Sequence, residues 1–291
     1  MTISISEQAP ARSVSAHNAS SSLEHQVLDA TTDLDYLIHS EGLYDLPAST
    51  HHAYRDRFVR DALEHHLNAC PSYRSFYSRR LKDKDPKSIE LHEIPVIPTS
   101  VFKREKVLSV AEDAIQKWCF SSGTQGARTL LGRDRVTLER LLGSIRSGLE
   151  LATPWEEHEV DLVHLGPDRD EAGDVWFMYV MSLTELIFPT QHYVRQGKFK
   201  AKAAAQRIQS LIERDEADIG IITTPFQLLN LLEYLEDRDI QIRGGPQLSV
   251  FTAGGWKRHT GRMIPRPDFE SRVVQRLGLQ DRRQIRDIFN Q

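Results

Sequence analysis

The sequence predicts an α/β protein built on layered, mostly parallel β-sheets with flanking helices. In its second half, short apolar stretches that are typical of buried strands alternate with amphipathic stretches that have the period of a helix. Clusters of small and polar residues follow several of the predicted strands. Because ligands of parallel sheets bind at the carboxyl ends of the strands, this pattern also predicts a binding site at that edge.

A tail and a helical region are expected before the alternating part. Residues 1–28 are rich in serine and alanine and poor in large apolar side chains, so we expect a disordered tail. Residues 29–291 are expected to form one domain, of which about residues 29–92 are helical. In that helical part, apolar residues recur at helical spacing near Leu34 and over residues 54–67.

Most of the remaining elements follow from apolar periodicity. Residues 94–103 contain Pro95 and Pro98 and are expected to be extended. The pattern of residues 175–183 fits a buried strand and a helix equally well. The predicted strands are residues 128–131, 160–165, 219–222 and 248–251. The predicted helices are residues 136–149, 200–214, 226–235 and 269–277.

Composition excludes several classes of protein. The formal net charge of −4 gives no general attraction to nucleic acid or to an anionic membrane. The only cysteines, Cys70 and Cys119, are too few for a disulfide framework and are expected to be chemically inert. No apolar run approaches the about 20 residues that a membrane span requires, and the first residues lack the pattern of a secretory signal. We therefore expect a cytoplasmic protein that binds no nucleic acid.

A glycine-rich loop carries the main functional signal. An apolar run ends at Phe120 and is followed by Ser121-Ser122-Gly123-Thr124-Gln125-Gly126. Glycines let the backbone turn and approach a ligand, and backbone N–H groups with hydroxyls form a cradle for an anion such as phosphate. Composition alone leaves a surface turn as the alternative. The loop has no lysine where a P-loop requires one, which argues against a P-loop NTPase.

Together with three other stretches, this loop resembles the LuxE acyl-protein synthetases, a branch of the adenylate-forming enzymes. The resemblance spans about residues 54–291, and the loop is similar to the phosphate-binding signature of those enzymes. It implies the fold of their large N-terminal domain. The other three stretches are Ile94-Pro95-Val96-Ile97-Pro98-Thr99-Ser100-Val101-Phe102-Lys103, Phe251-Thr252-Ala253-Gly254-Gly255-Trp256-Lys257 and Asp287-Ile288-Phe289-Asn290-Gln291.

The resemblance also implies an activity. Enzymes of this branch use ATP, with Mg²⁺, to convert a long-chain fatty acid to an acyl adenylate, and they pass the acyl group to a protein thiol. A carboxylate is a poor acyl donor, and attack of its oxygen on the α-phosphorus of ATP turns that oxygen into a good leaving group. The protein mainly positions the reactants and stabilises phosphate charge. The implied partners are a fatty acid and an acyl-accepting protein.

The resemblance assigns roles to residues at matching positions. The residues implied to hold the phosphates are Ser121, Ser122, Gly123, Thr124, Gln125 and Gly126, where Gln125 replaces a threonine that is common in the family. Those implied to lie beside the adenine are Gly254, Gly255 and Trp256. Those implied to flank the adenine and the α-phosphate are Asp287, Phe289 and Asn290. The implied catalytic residues are Thr124 and Lys257.

Several of these residues have a structural alternative. The pair Gly254-Gly255 would also suit a turn that leaves a strand, and Trp256 would also suit the core. A set of residues after a buried strand would either line the acyl pocket or begin a helix; its members are Thr223, Thr224 and Phe226. The histidine pairs at 51–52 and 65–66 lack the spacing of metal ligands, so we expect no zinc site.

The last stretch of the resemblance is incomplete. The family's nucleotide motif continues past Gln291, so we expect that the C-terminal part of the domain is missing from this sequence. The alternative to an active ligase is therefore a truncated, non-catalytic nucleotide- or acyl-binding relative, or one part of a split enzyme.

Overall fold

The fold follows from a computed structural model, which describes residues 33–40, 42–82, 84–121, 128–152, 159–256 and 261–289. The helices are α1 Leu34–Leu37, α2 Ala48–Ala69, α3 Pro71–Leu81, α4 Arg135–Ala152, α5 Arg169–Ala172, α6 Trp176–Ser182, α7 Ala201–Arg214, α8 Pro225–Glu236 and α9 Arg266–Leu277. The strands are β1 Ile115–Phe120, β2 Leu130–Asp134, β3 Val160–His164, β4 Thr190–His192, β5 Val194–Arg195, β6 Lys198–Phe199, β7 Asp218–Thr223, β8 Leu248–Ala253 and β9 Ile285–Phe289. The predicted tail, residues 1–28, lies outside the described residues.

The centre of the fold is a five-stranded sheet in the order β4-β3-β7-β8-β9. Every pair of neighbouring strands in it is parallel, which confirms the predicted α/β fold with a mostly parallel sheet. The strands β1 and β2 form an antiparallel hairpin beside it, and β5 and β6 form a second, shorter hairpin. The first hairpin meets the rest of the domain through a bridge between Phe120 and Val175.

Both faces of the parallel sheet are buried, so the domain has three layers. On one face, Ile221 and Val250 belong to the main core, to which α7, α8 and α9 contribute their apolar sides. On the other face, the next residues along the same strands, Ile222 and Phe251, pack with Met181 of α6 and with residues of α4. Alternating residues of a strand point to opposite faces, and burying each large side chain contributes about 1.5–3 kcal/mol. This explains the nearly continuous apolar strands in the sequence.

The structure corrects one predicted strand and decides between strand and helix for residues 175–183. The predicted strand at residues 128–131 is displaced, because pairing with β1 places the strand at Leu130–Asp134. Asp134 directly precedes α4 and caps it, since its carboxylate accepts a hydrogen bond of 3.1 Å from the backbone of Thr137. Residues 175–183 contain a helix, α6, on which Phe177 and Met181 are four apart and face the sheet together.

The helical part near the start of the chain has a small core of its own. Helices α2 and α3 are separated by Cys70, and Pro71 stands at the start of α3, where its missing N–H costs nothing. Leu63, Tyr77 and Ile89 form the buried cluster between these helices and the segment that follows them. Helices α2 and α3 lie within the part that the sequence predicts to be helical, and α2 begins before the predicted run at residues 54–67, at Ala48.

Candidate functional site

Three neighbouring strands end in polar residues that lie side by side. In the sheet register, Thr223 of β7 is paired with Thr252 of β8, and Thr252 is paired with Asp287 of β9. Both threonines are only 2% exposed. Polar side chains at adjacent carboxyl ends of a parallel sheet form the edge where ligands of such sheets bind. The register therefore brings three polar residues together at the edge where the sequence predicts a binding site.

Asp287 is the most accessible member of this row. The hydroxyl of Thr252 donates to Asp287 Oδ1, and Arg266 Nη1 lies 2.7 Å from Asp287 Oδ2. Arg266 also donates through Nε to Glu270 Oε1 at 2.6 Å. The Asp287 side chain remains 27% exposed. The result is an oriented carboxylate that solvent or a ligand can still reach.

The two glycines that follow β8 have different backbone conformations and surroundings. Gly254 has φ +77°, and a Cβ on it would lie 3.1 Å from Phe177 Cζ, so the chain turns there in a left-handed conformation against the Phe177 ring. Gly255 has no such constraint: apart from its own atoms and those of its two chain neighbours, no atom of the described residues lies within 4 Å of the position of its missing Cβ. The strand-exit turn explains Gly254, whereas the residues that the structure describes leave open space at Gly255.

Trp256 packs against the core. Its ring lies edge-on to Phe269 of α9, with 5.6 Å between ring centroids, and it borders the main core cluster. The alternative that Trp256 is a core residue therefore matches the structure, and its predicted position beside the adenine stays a prediction. Lys257 and Asn290 lie outside the described residues, and Phe289 ends β9, where its backbone is paired with that of Ala253.

The base of the glycine-rich loop is fixed by a short set of hydrogen bonds. Ser121 N donates to the Thr129 carbonyl at 3.0 Å, and Thr129 N donates to Ser121 Oγ at 3.2 Å. These bonds close the hairpin on either side of the loop residues Ser122, Gly123, Thr124, Gln125 and Gly126, which lie outside the described residues. Ser121 Oγ acts as an acceptor in this bond, so its own O–H is left as a donor.

Helix α6 connects the loop base to the glycine turn. Phe120 N donates to the carbonyl of Asp174 at 2.7 Å, immediately before α6. Three residues later, the ring of Phe177 in α6 lies against Gly254, where it would be 3.1 Å from an added Cβ. The structure thus joins two segments that are more than a hundred residues apart and that the resemblance assigns to one nucleotide.

The predicted acyl-pocket residues are placed at the start of α8. Thr224 caps the helix, since its hydroxyl accepts a 3.2 Å hydrogen bond from Gln227 N, and Pro225 follows as its first residue. Thr223 donates to the Thr224 carbonyl at 3.0 Å. The guanidinium carbon of Arg262 lies over the ring of Phe226, 5.2 Å from the ring centroid. The helix-cap alternative is therefore observed for Thr224, and a role for these residues in acyl binding stays a prediction.

A buried histidine pair at the ends of β3 and β4 was not identified from the sequence. His164 Nδ1 lies 2.9 Å from His192 Nδ1, and Glu185 Oε2 lies 2.7 Å from His192 Nε2, outside the alignment of a regular hydrogen bond. Burial, with a smaller effect of His192, lowers the pKa of His164 to about 3. Gly166 covers the ring, because a Cβ there would lie 2.5 Å from His164 Nε2. Since 28 residues separate the two histidines, no local pattern could reveal the pair.

Both cysteines are buried. Cys119 is completely buried and Cys70 is 2% exposed. Burial raises the pKa of the Cys119 thiol to about 11, which supports the prediction that it is an inert core residue. Over the part of the chain that the structure describes, no helix is long and apolar enough to cross a bilayer, and no three His, Cys, Asp or Glu side chains are grouped as metal ligands.

Comparison with known proteins identifies relatives over almost the whole chain. The model of the family described as acyl-protein synthetase, LuxE, matches residues 19–291. A long-chain-fatty-acid–luciferin-component ligase of Aliivibrio fischeri is 35% identical over 262 residues, which are 90% of this chain and 68% of the relative. A protein of the same name from Vibrio harveyi is 32% identical over 271 residues, which are 93% of this chain and 71% of the relative.

A solved structure also shares the fold. It is an open conformation of 2-hydroxyisobutyryl-CoA ligase in complex with 2-HIB-AMP and CoA, and it matches with a TM-score of 0.58 at 13% identity. The match covers 84% of this chain and 55% of that chain, so the chain spans about half the length of that ligase. At this identity the likeness concerns the fold alone, and it agrees with the predicted fold of an adenylate-forming domain.

Proposed function

Because the chain belongs to the LuxE family of acyl-protein synthetases, we propose that it activates a long-chain fatty acid with ATP and passes the acyl group to a protein thiol. In the first step a carboxylate oxygen attacks the α-phosphorus of ATP, and pyrophosphate leaves. In the second step the thiolate attacks the acyl carbon and AMP leaves. The observation that carries the proposal is the 35% identity to a long-chain-fatty-acid ligase over 90% of this chain.

The described residues fit a nucleotide at the carboxyl edge of β8 and β9. The open space at Gly255 would admit the flat face of a base, and the reachable carboxylate of Asp287 would accept a hydrogen bond from an amino group. The loop that begins at Ser121 would donate hydroxyl and backbone N–H groups to the phosphates, with Thr124 and Lys257 assisting catalysis. Mg²⁺ would be bound mainly by the phosphate oxygens of ATP, since proteins usually hold this ion through substrate phosphates and only one or two carboxylates.

Carboxylate-dependent exchange of labelled pyrophosphate into ATP tests the proposal. We expect exchange with palmitate and none without an acid. Thr124→Ala should slow exchange by roughly 10- to 150-fold, because a hydrogen bond to a charged group is worth about 1.5–3 kcal/mol. Thr137→Ala is a matched control, since the hydroxyl of Thr137 donates to Asp134 at the start of α4.

The outcome separates the proposed enzyme from its alternative. Binding of ATP without exchange, across acids from acetate to palmitate, would contradict the proposal and favour a non-catalytic nucleotide-binding relative. Exchange that is equal in the wild type and in Thr124→Ala would contradict the assignment of the loop.

A further inference from the structure

We infer that Arg266 is a positioning residue of the nucleotide site, which fixes the carboxylate of Asp287 and offsets its charge. The inference rests on the proposed function and deepens it, since neither the family resemblance nor the sequence pattern assigns a role to Arg266. It starts from the surroundings of one carboxylate. Asp287 Oδ1 accepts from the buried Thr252 hydroxyl, and Asp287 Oδ2 lies 2.7 Å from Arg266 Nη1. Both oxygens therefore have a donor on the protein, which sets the orientation of the carboxylate.

Arg266 is held in place from its own side. It is the first residue of α9, directly after Pro265, and α9 is anchored by Val273 and Leu277, which are fully buried. Its Nε donates to Glu270 Oε1, one turn further along the helix, at 2.6 Å. The guanidinium is thus clamped between two carboxylates, and it extends from the helix that follows the glycine turn across to the edge strand β9.

The arrangement has an electrostatic consequence for an anionic ligand. A guanidinium stays charged at every working pH, so it permanently offsets the carboxylates beside it. ATP carries several negative charges, and removal of Arg266 would leave the charge of Asp287 without the guanidinium that offsets it. The carboxylate of Asp287 would also lose one of its two fixed donors. Both effects weaken ATP binding through Asp287 rather than through direct contact with ATP.

The exposure of the arginine distinguishes this pair from a second ion pair of the same helix. The Arg266 side chain is 54% exposed, and it lies at the site edge. Arg272, also on α9, pairs with Glu236 of α8 through Nε at 2.7 Å and through Nη2, and both side chains are 29% exposed. That second pair ties two helices together, with Glu236 as the last residue of α8 and Arg272 in the middle of α9. It provides a matched control.

A double-mutant cycle on the full chain tests the inference. The variants are Arg266→Gln, Asp287→Asn and the double variant, with Arg272→Gln as the control, and the readouts are KM for ATP and kcat in pyrophosphate exchange. We expect Arg266→Gln to raise KM for ATP roughly 10-fold with kcat nearly unchanged, and Arg266→Lys to restore part of the loss. In the Asp287→Asn background, Arg266→Gln should change KM by less than about 2-fold. Arg272→Gln should leave KM unchanged.

Three results would overturn the inference. One is an unchanged KM in Arg266→Gln, and another is an equal effect of Arg266→Gln in the wild-type and Asp287→Asn backgrounds, which would indicate direct contact with ATP or general damage. A third is an equal rise of KM in Arg272→Gln. A wild-type protein with no exchange and no ATP binding by calorimetry would instead overturn the proposed function, and this inference with it.

Discussion

Replacing Gly254 with alanine should both destabilise the protein and impair exchange. The residue has φ +77°, and the left-handed conformation costs a side-chain-bearing residue roughly 1–2 kcal/mol. The new Cβ would also lie 3.1 Å from Phe177 Cζ, so α6 or the turn must shift by a few tenths of an ångström. We expect a loss of about 1–3 kcal/mol in the free energy of unfolding, measured by urea denaturation. Because Asp174, just before α6, accepts a hydrogen bond from Phe120 at the base of the glycine-rich loop, we expect exchange to fall about 10-fold or more.

Gly255→Ala is the matched comparison for this prediction. Its Cβ would meet no described atom within 4 Å, so stability should change by less than about 0.5 kcal/mol. Exchange should nevertheless fall, because the added methyl group would occupy the space proposed for the base. If both variants lost stability equally, the separation of the glycine pair into a turn residue and a ligand-facing residue would be wrong.

The second large effect is a loss of stability in acid that depends on His164. Burial holds its pKa at about 3, below the ordinary value of 6.5, so between these pH values the unfolded chain binds a proton that the folded chain does not. Stability from this residue is therefore complete above pH 6.5 and falls as the pH decreases. One pKa unit corresponds to about 1.4 kcal/mol, so about 2 kcal/mol should be lost between pH 6.5 and pH 5.

His164→Asn isolates this contribution. An asparagine amide reaches the position of Nδ1, so it can still form a hydrogen bond with His192 but does not titrate. Urea denaturation of both proteins at pH 7, 6 and 5 measures the difference in their pH slopes. We expect the variant to be less stable at pH 7, because of the space left by the ring, and to lose stability less steeply in acid. Equal slopes in the two proteins would show that His164 is not the group that titrates.

Elements whose apolar residues recur at a regular spacing could be predicted from the sequence, and elements that depend on contacts with distant segments could not. The helices α7, α8 and α9 and the strands β7 and β8 follow from periodicity, because their residues are buried in regular patterns. The edge strand β9 was not predicted from its pattern, since it carries Arg286 and Asp287 and is only partly buried. For α6, the apolar run has no polar face to set its period, and packing of Phe177 and Met181 on the sheet decides the outcome.

The site was predictable only in part, for a similar reason. Gly254 and Asp287 were found through resemblance to a family, and the alternatives for Trp256 and Thr224 came from ordinary packing and capping rules. Contacts between distant segments carry no sequence signal of this kind. Neither the link of Arg266 to Asp287 nor that of His164 to His192 has a characteristic spacing, and each depends on which strands lie beside each other.

The central claim is that a carboxylate oxygen attacks the α-phosphorus of ATP, and oxygen labelling tests it most directly. The protein is incubated with ATP, Mg²⁺ and palmitate that carries ¹⁸O in both carboxylate oxygens, with hydroxylamine as the acyl acceptor. Mass spectrometry then locates the label. The account predicts AMP that contains one ¹⁸O atom, together with unlabelled pyrophosphate. Labelled inorganic phosphate released together with ADP, or the absence of labelled AMP, would contradict it.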